Sequence, residues 1–268
     1  MLSPKIYMEK KKNGIQSIDV GFSILSVLVN SASPLPLKTI SAQSGLSPSK
    51  IHSYLTSFIN LGVVEQNLST GFYSLGPTCL KLGLGYLDQV NILTSSQPIM
   101  LELAQEIGQT VFLGVWGNRG PTIVNRVDGP YSQTIFDLRI GSVLPLLSSA
   151  LGKNFAAHLP LSFIEPFIVD EIEKQGSGSG KPVALSDVYD MLDEIRNNGI
   201  SNSRGQLLSD FTSLSVPIFD FSNSIYAGIT IMGKIDVFDD RLDAKPAKLL
   251  KAAGRKLSEL GGWQAVSR

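Results

Sequence analysis

Few residues in this chain are placed to do chemistry. His52 and His158 are the only histidines, and Cys79 is the only cysteine. Neither histidine has a Cys or carboxylate at zinc-ligand spacing. No Ser/His/Asp or Cys/His set is visible, and Cys79 stands beside no base. The run Gly176–Ser177–Gly178–Ser179–Gly180 fits Gly-x-Ser-x-Gly. A nucleophile elbow follows a strand and opens a helix. This run follows a polar helix end and precedes Lys181–Pro182, so it reads as a flexible surface loop. Gly83–Leu84–Gly85 lacks the preceding strand and the third glycine of a nucleotide loop. No cofactor and no metal are expected. What remains is a polar cluster: Ser49, Lys50, His52, Ser53 and Thr56 share the side of a helix opposite its apolar stripe. Such groups hydrogen-bond base edges and phosphates. His52 is expected on phosphate. His158 ends a helix, where a cation is favourable.

The elements that carry this cluster read as follows. A helix spans about 18–30, with Ser17 as its cap and Ile18, Phe22, Leu25, Leu28 and Val29 on one face. Two prolines in 31–36 break it. A second helix fits 37–44 and ends at Gly45. Ser47 caps a third, with Pro48 at its first position. Ile51, Tyr54, Leu55, Phe58, Ile59 and Leu61 make its buried side, and Gly62 stops it. Residues 63–66 and 72–75 are strands around the polar turn 67–71. Three helices and a hairpin form a winged helix-turn-helix, whose third helix enters the major groove. Periodicity alone fits a plain helical bundle equally well.

Beyond it, 77–91 reads as a linker helix, although Gly83 and Gly85 each weaken it by about 1 kcal/mol relative to Ala. Another helix starts at Pro98. Strands are expected at 110–116, 122–127, 134–137, 213–219 and 225–232, and helices at 150–158, 161–174, 185–198 and 241–260. A mixed sheet flanked by helices is α+β.

The chain has 268 residues, 43% of them hydrophobic, which suffices for one large or two modest cores. No apolar run reaches the ~18 residues of a membrane helix. One cysteine and no secretory signal pattern make a cytoplasmic location the expectation. Lys plus Arg equals Asp plus Glu, at 23 each. That balance hides an asymmetry. Residues 1–75 hold six lysines against three acids (+3), and the remainder carries −3. Such a split marks a nucleic-acid module at one end, or merely a solubilising tail.

Several runs together resemble the IclR family of bacterial transcription regulators. They are Leu35–Pro36–Leu37–Lys38–Thr39–Ile40–Ser41, Ser44 to Leu55 with Gly-Leu-x-x-Ser-x-x-His spacing, Leu61–Gly62–Val63–Val64–Glu65, and Phe72–Tyr73–Ser74–Leu75–Gly76. The likeness continues through Thr110–Val115, Gly141–Leu146 with Ser149–Lys153, Val216–Phe219 and Ala227–Gly233, so it covers about residues 15–260. It implies a winged helix-turn-helix over 1–76 with a basic arm, a linker helix over 77–97 and a GAF-like effector-binding domain over 98–268. It also implies a ligand-responsive regulator, most simply a repressor, of a metabolic or catabolic operon. The partners would be double-stranded operator DNA, a small effector and further copies of the chain as homodimer or homotetramer.

On that resemblance, Lys10, Lys11, Lys12, Lys38, Ser47, Ser49, Lys50, His52, Ser53, Ser69 and Thr70 would meet DNA. Gln133, Phe136, Ala150, Leu151, Ser203, Phe211, Ser213, Ser215, Thr230 and Met232 would line the effector pocket. Where the family often has Asp, Cys and Glu, this chain has Ser203, Ser213 and a residue near Gln206. Hydroxyls, one amide and Phe136, Phe211 and Met232 suit a neutral or amphipathic ligand. An enzyme on the α+β domain would need a general acid, base or nucleophile, and that lining has no ionisable group. An effector-free oligomerisation scaffold is the third reading.

Overall fold

The computed structural model describes residues 14–31, 33–89, 91–132, 138–176 and 184–264. The chain divides into two compact units, Met1–Gln89 and Val90–Arg268.

In the first unit, α1 spans Gln16–Val29, α2 Leu37–Ser44 and α3 Pro48–Asn60. They pack on a small hairpin of β1 (Val64–Gln66) and β2 (Tyr73–Leu75). Leu35 adds a bridge to the hairpin, exchanging backbone hydrogen bonds of 2.9 and 2.8 Å with Tyr73. The core is Ile24, Leu28, Ile40, Ile51, Leu55, Val64 and Tyr73. Gly45 takes a left-handed φ of 68° at the end of α2, so the α2–α3 turn forms at the expected place. α4 follows at Pro77–Gln89 and is tied back to this unit, because Thr78 Oγ1 donates to the Leu61 carbonyl at 2.9 Å.

Three expectations need correction here. α1 begins after Ile15, which supplies no side-chain cap, and Ser17 lies inside the helix. Its buried row is Gly21, Ile24 and Leu28, whereas Ile18, Phe22 and Val29 are exposed. The reason is Gly21: a Cβ there would lie 3.0 Å from Phe58 Cζ, so the missing side chain lets the α3 aromatics close on that row. On α3, Ile51 and Leu55 are buried, but Ile59 and the C-cap residue Leu61 are exposed.

The second unit is a five-stranded antiparallel sheet in the order β4-β3-β7-β6-β5. The strands are β3 (Thr110–Gly117), β4 (Gly120–Val127), β5 (Ser201–Arg204), β6 (Phe211–Phe219) and β7 (Ile225–Lys234). Side chains alternate between two faces. Val111, Leu113, Leu214, Val216, Ile229 and Ile231 face α5 (Ile92–Ile107) and α9 (Lys245–Leu260). Phe112 and Met232 face α6 (Ala150–His158) through Leu151 and Phe155. A third layer of α7 (Leu161–Gly176) and α8 (Leu185–Asn198) covers the far side of α6.

The helix expected from Pro98 begins earlier, at Ile92, and Pro98 sits inside it. Asn91 caps α5, its Oδ1 accepting from Leu93 N–H at 2.9 Å. The packed row Ile99, Met100, Leu103 and Ala104 outweighs the one backbone bond that proline removes. α9 starts at Lys245 rather than 241, with Pro246 in its first turn. β5 was not expected: its inward residues are serines, so it lacks an apolar alternation. The strand expected at 134–137 lies outside the described residues.

Candidate DNA interface and ligand pocket

Ser47, Ser49, Lys50, His52 and Ser53 are all exposed around the first turns of α3. Ser47 occupies the N-cap position, yet its side chain makes no capping hydrogen bond. Ser53 Oγ donates to the Ser49 carbonyl at 3.3 Å and keeps its acceptor lone pairs outward. Lys50 and Lys38 form no ion pair among the described residues. At the wing, Asn67 Oδ1 accepts from Ser69 N–H at 2.9 Å, Ser69 Oγ at 2.6 Å and Thr70 N–H at 3.1 Å. One side chain therefore fixes the hairpin tip, and Leu68 projects from it, 96% exposed. Lys10, Lys11 and Lys12 lie outside the described residues. Between 14 and 75 the charges are Lys38 and Lys50 against Asp19 and Glu65. Residues 14–75 are thus neutral, and the basic excess of the first 75 residues belongs wholly to residues 1–13.

In the second unit, strand register assembles most of the expected pocket residues. Ser203 pairs with Ser213 and Ser213 with Met232; Ser215 pairs with Thr230. Ala150 and Leu151, at the start of α6, lie over this face. Ala150, Leu151, Ser213, Thr230 and Met232 line one internal cavity of about 10 Å³, together with Phe112, Leu144, Ser149 and Leu207. That is room for about one water at most. Ser203, Ser215 and Phe211 are not among its lining. Ser203 Oγ donates to the Ser148 carbonyl at 2.6 Å. Ser215 Oγ is a hub that accepts from Thr230 Oγ1 at 3.0 Å and from Asn154 Nδ2 at 3.3 Å. Phe211 borders a neighbouring recess of about 20 Å³. Gln133 and Phe136 lie outside the described residues.

The sequence reading missed Phe112, Leu144, Ser149 and Leu207. The alternation of β3 places Phe112 on the same face as Thr230, its register partner, and that signal was available. Ser149 caps α6: its Oγ accepts from Gly152 N–H at 2.9 Å and donates to the Pro145 carbonyl at 2.6 Å. Gly152 is required there, since a Cβ would fall 2.2 Å from that same carbonyl. The preceding loop is held by Glu171, whose Oε2 and Oε1 accept from Leu146 and Leu147 N–H at 2.6 and 2.9 Å.

Electrostatics correct one expectation. Burial pushes the His158 imidazole below its ordinary value, only partly opposed by its 2.9 Å hydrogen bond to the Asn154 carbonyl, and nearby Arg196 lowers it further. The cation at the end of α6 is Arg196 of α8, which donates to the Ala157 carbonyl. Lys153 is 5% exposed, and burial pushes its ammonium down to about 8. Among the described residues no group of His, Cys, Asp and Glu is arranged to hold a metal, and no helix is long and apolar enough to cross a membrane.

A winged helix joined to a helix-flanked antiparallel sheet with a small internal pocket defines a DNA-binding regulator with a ligand-binding domain. Residues 17–68 match the IclR helix-turn-helix domain, and residues 84–259 match the bacterial transcriptional regulator IclR C-terminal domain. The chain belongs to the IclR family of bacterial transcriptional regulators. It is 29% identical over 223 residues to the glycerol operon regulatory protein of Streptomyces coelicolor, covering 83% of this chain and 86% of that one. It is 26% identical to the transcriptional repressor IclR of Escherichia coli, covering 93% and 92%. The crystal structure of Pseudomonas aeruginosa HmgR superposes with a TM-score of 0.81 at 31% identity, covering 94% of this chain and all of that one.

Proposed function

We propose that this regulator represses a metabolic operon by docking α3 in the major groove of its operator, and that a small metabolite bound between α6 and the sheet alters that affinity. Ser47, Ser49, Lys50, His52 and Ser53 read base edges and adjacent phosphates. Lys38 and the wing residues Ser69 and Thr70 hold the backbone, and the arm with Lys10, Lys11 and Lys12 adds phosphate contacts. The observation that carries this reading is the row of exposed polar side chains at the start of α3, with Lys50 in no ion pair among the described residues.

The effector sits among Gln133, Phe136, Ala150, Leu151, Ser203, Phe211, Ser213, Ser215, Thr230 and Met232, in a GAF-like domain that takes in the whole of α5 from Ile92, with α4 as the linker helix before it. Its hydroxyl-rich lining favours a neutral or amphipathic molecule. That lining supplies no ionisable acid or base, and so nothing to activate its hydroxyls as nucleophiles; binding without turnover is the reading it supports. The chain acts in the cytoplasm as a homodimer or homotetramer, because helix-turn-helix proteins gain affinity and specificity from paired half-sites. The names of relatives, a glycerol operon regulator and a repressor among them, favour a metabolic operon.

The test is titration of the upstream region of its own gene with the full chain. A saturable complex that weakens steeply with salt is expected. Binding no tighter than to unrelated DNA of equal length overturns the reading.

A further inference from the structure

Among the described residues Lys153 is a buried cation without a counter-ion. Its Nζ donates to the Asn202 carbonyl at 3.0 Å and to Gln206 Oε1 at 2.5 Å. Both acceptors are neutral. No carboxylate lies within ion-pair distance of it among the described residues. An ammonium has three donors, so one remains. Removing such a charge from water costs several kcal/mol unless it is paired. α6 carries Lys153 to the wall of an open cleft of about 520 Å³. The other walls are Leu147, Ser148, Asp187, Val188, Met191 and Gln206. This cleft shares no lining residue with the 10 Å³ cavity on the sheet side of α6.

We propose that the cleft between α6 and the start of α8 is a second ligand site, which takes a small monocarboxylate on Lys153. The carboxylate completes the hydrogen bonding of the ammonium and supplies the missing charge. Gln206, already bonded to Lys153, has an amide that donates to the second carboxylate oxygen. Leu147, Val188 and Met191 receive a short apolar body. Asp187 on the same cleft disfavours a dianion, so phosphate and dicarboxylates are the weaker ligands. This inference does not rest on the internal pocket.

The experiment titrates the full chain with butyrate and benzoate, and in parallel with butyramide and benzamide, at constant ionic strength, by calorimetry and thermal melting. Saturable binding of the carboxylates, absent for the amides, is expected. Gln206→Glu places a carboxylate beside Lys153 within the chain. It should raise the melting temperature without ligand and weaken carboxylate binding by about tenfold or more. Lys153→Met should abolish that binding. Thr230→Val, in the internal pocket, should leave it intact, which separates this site from the proposed effector pocket. Equal binding of amides, no carboxylate binding by the unaltered chain, full retention in Gln206→Glu, or loss in Thr230→Val would overturn the proposal.

Discussion

Gly228 lies directly beneath Leu151. A Cβ added to Gly228 would stand 2.7 Å from Leu151 Cδ1 and 2.9 Å from Asn154 Nδ2. Gly114, its register partner on β3, is as close to the same leucine, with Leu151 Cδ2 only 2.2 Å from an added Cβ. Two facing glycines thus cut a notch in the sheet that seats the first turn of α6. Gly228→Ala should lift that turn and cost about 1–3 kcal/mol, as overpacking of a close-fitted core does. Denaturant unfolding measures it. An unchanged midpoint would mean that α6 is free to shift.

The Ser215 hydroxyl is the junction of the buried polar network. Ser215→Ala leaves the Thr230 hydroxyl and the Asn154 amide without their acceptor, and Asn154 Oδ1 already has no partner. A loss of about 1–3 kcal/mol is expected. Ser215→Cys, which keeps a weak acceptor of similar size, should lose less.

Deleting residues 2–13 removes four lysines and one glutamate. If the arm meets phosphate, the slope of log K against log salt for operator binding should fall by up to about 4 for each DNA-bound head, at roughly 0.9 per phosphate contact. Lys50→Ala should lower it by about 1. A deletion that changes affinity no more than Lys50→Ala would assign the arm to solubility alone.

Two buried bases predict pH effects of one sign. Lys153 titrates near 8 when folded, below the ordinary lysine value of about 10.5. Below pH 8 it is charged in both states and the folded chain bears the full cost. Between about 8 and 10.5 the unfolded chain binds more protons, so this residue makes stability rise with pH, by at most about 1.4 kcal/mol per unit. The stability gap between Lys153→Met and the unaltered chain should narrow across that window. His158 is also lowered, so the unfolded state protonates first as pH falls through about 6.5, and stability drops on the acid side. His158→Phe should flatten that fall. A gap that stays constant for either variant would mean that its base is solvated in the folded chain.

Much of this was legible in the residues because punctuation and periodicity agreed. Gly45 and Pro48 bracket the turn before α3, and Gly199 ends α8 at a left-handed φ of 63°. The start of α5 was misread because Pro98 is a louder signal than the Asn91 cap that opens the helix. β5 was invisible because Ser201 and Ser203 are buried by hydrogen bonds to the Ala150 and Ser148 carbonyls, not by hydrophobicity. The cleft at Lys153 was out of reach because Lys153 and Gln206 are 53 positions apart, and only the packing of α6 on β5 unites them. The neutrality of the folded winged helix, by contrast, was countable from the start.

The internal cavity has a kinetic consequence. At about 10 Å³ it admits no metabolite in the form described. If the effector enters here, as proposed, its capture waits for α6 and its loop to part from the sheet. The capture rate should then level off at high effector concentration, at the frequency of that opening. Tight affinity would be written mainly in slow escape. A regulator built this way responds to how long a metabolite persists more than to brief surges.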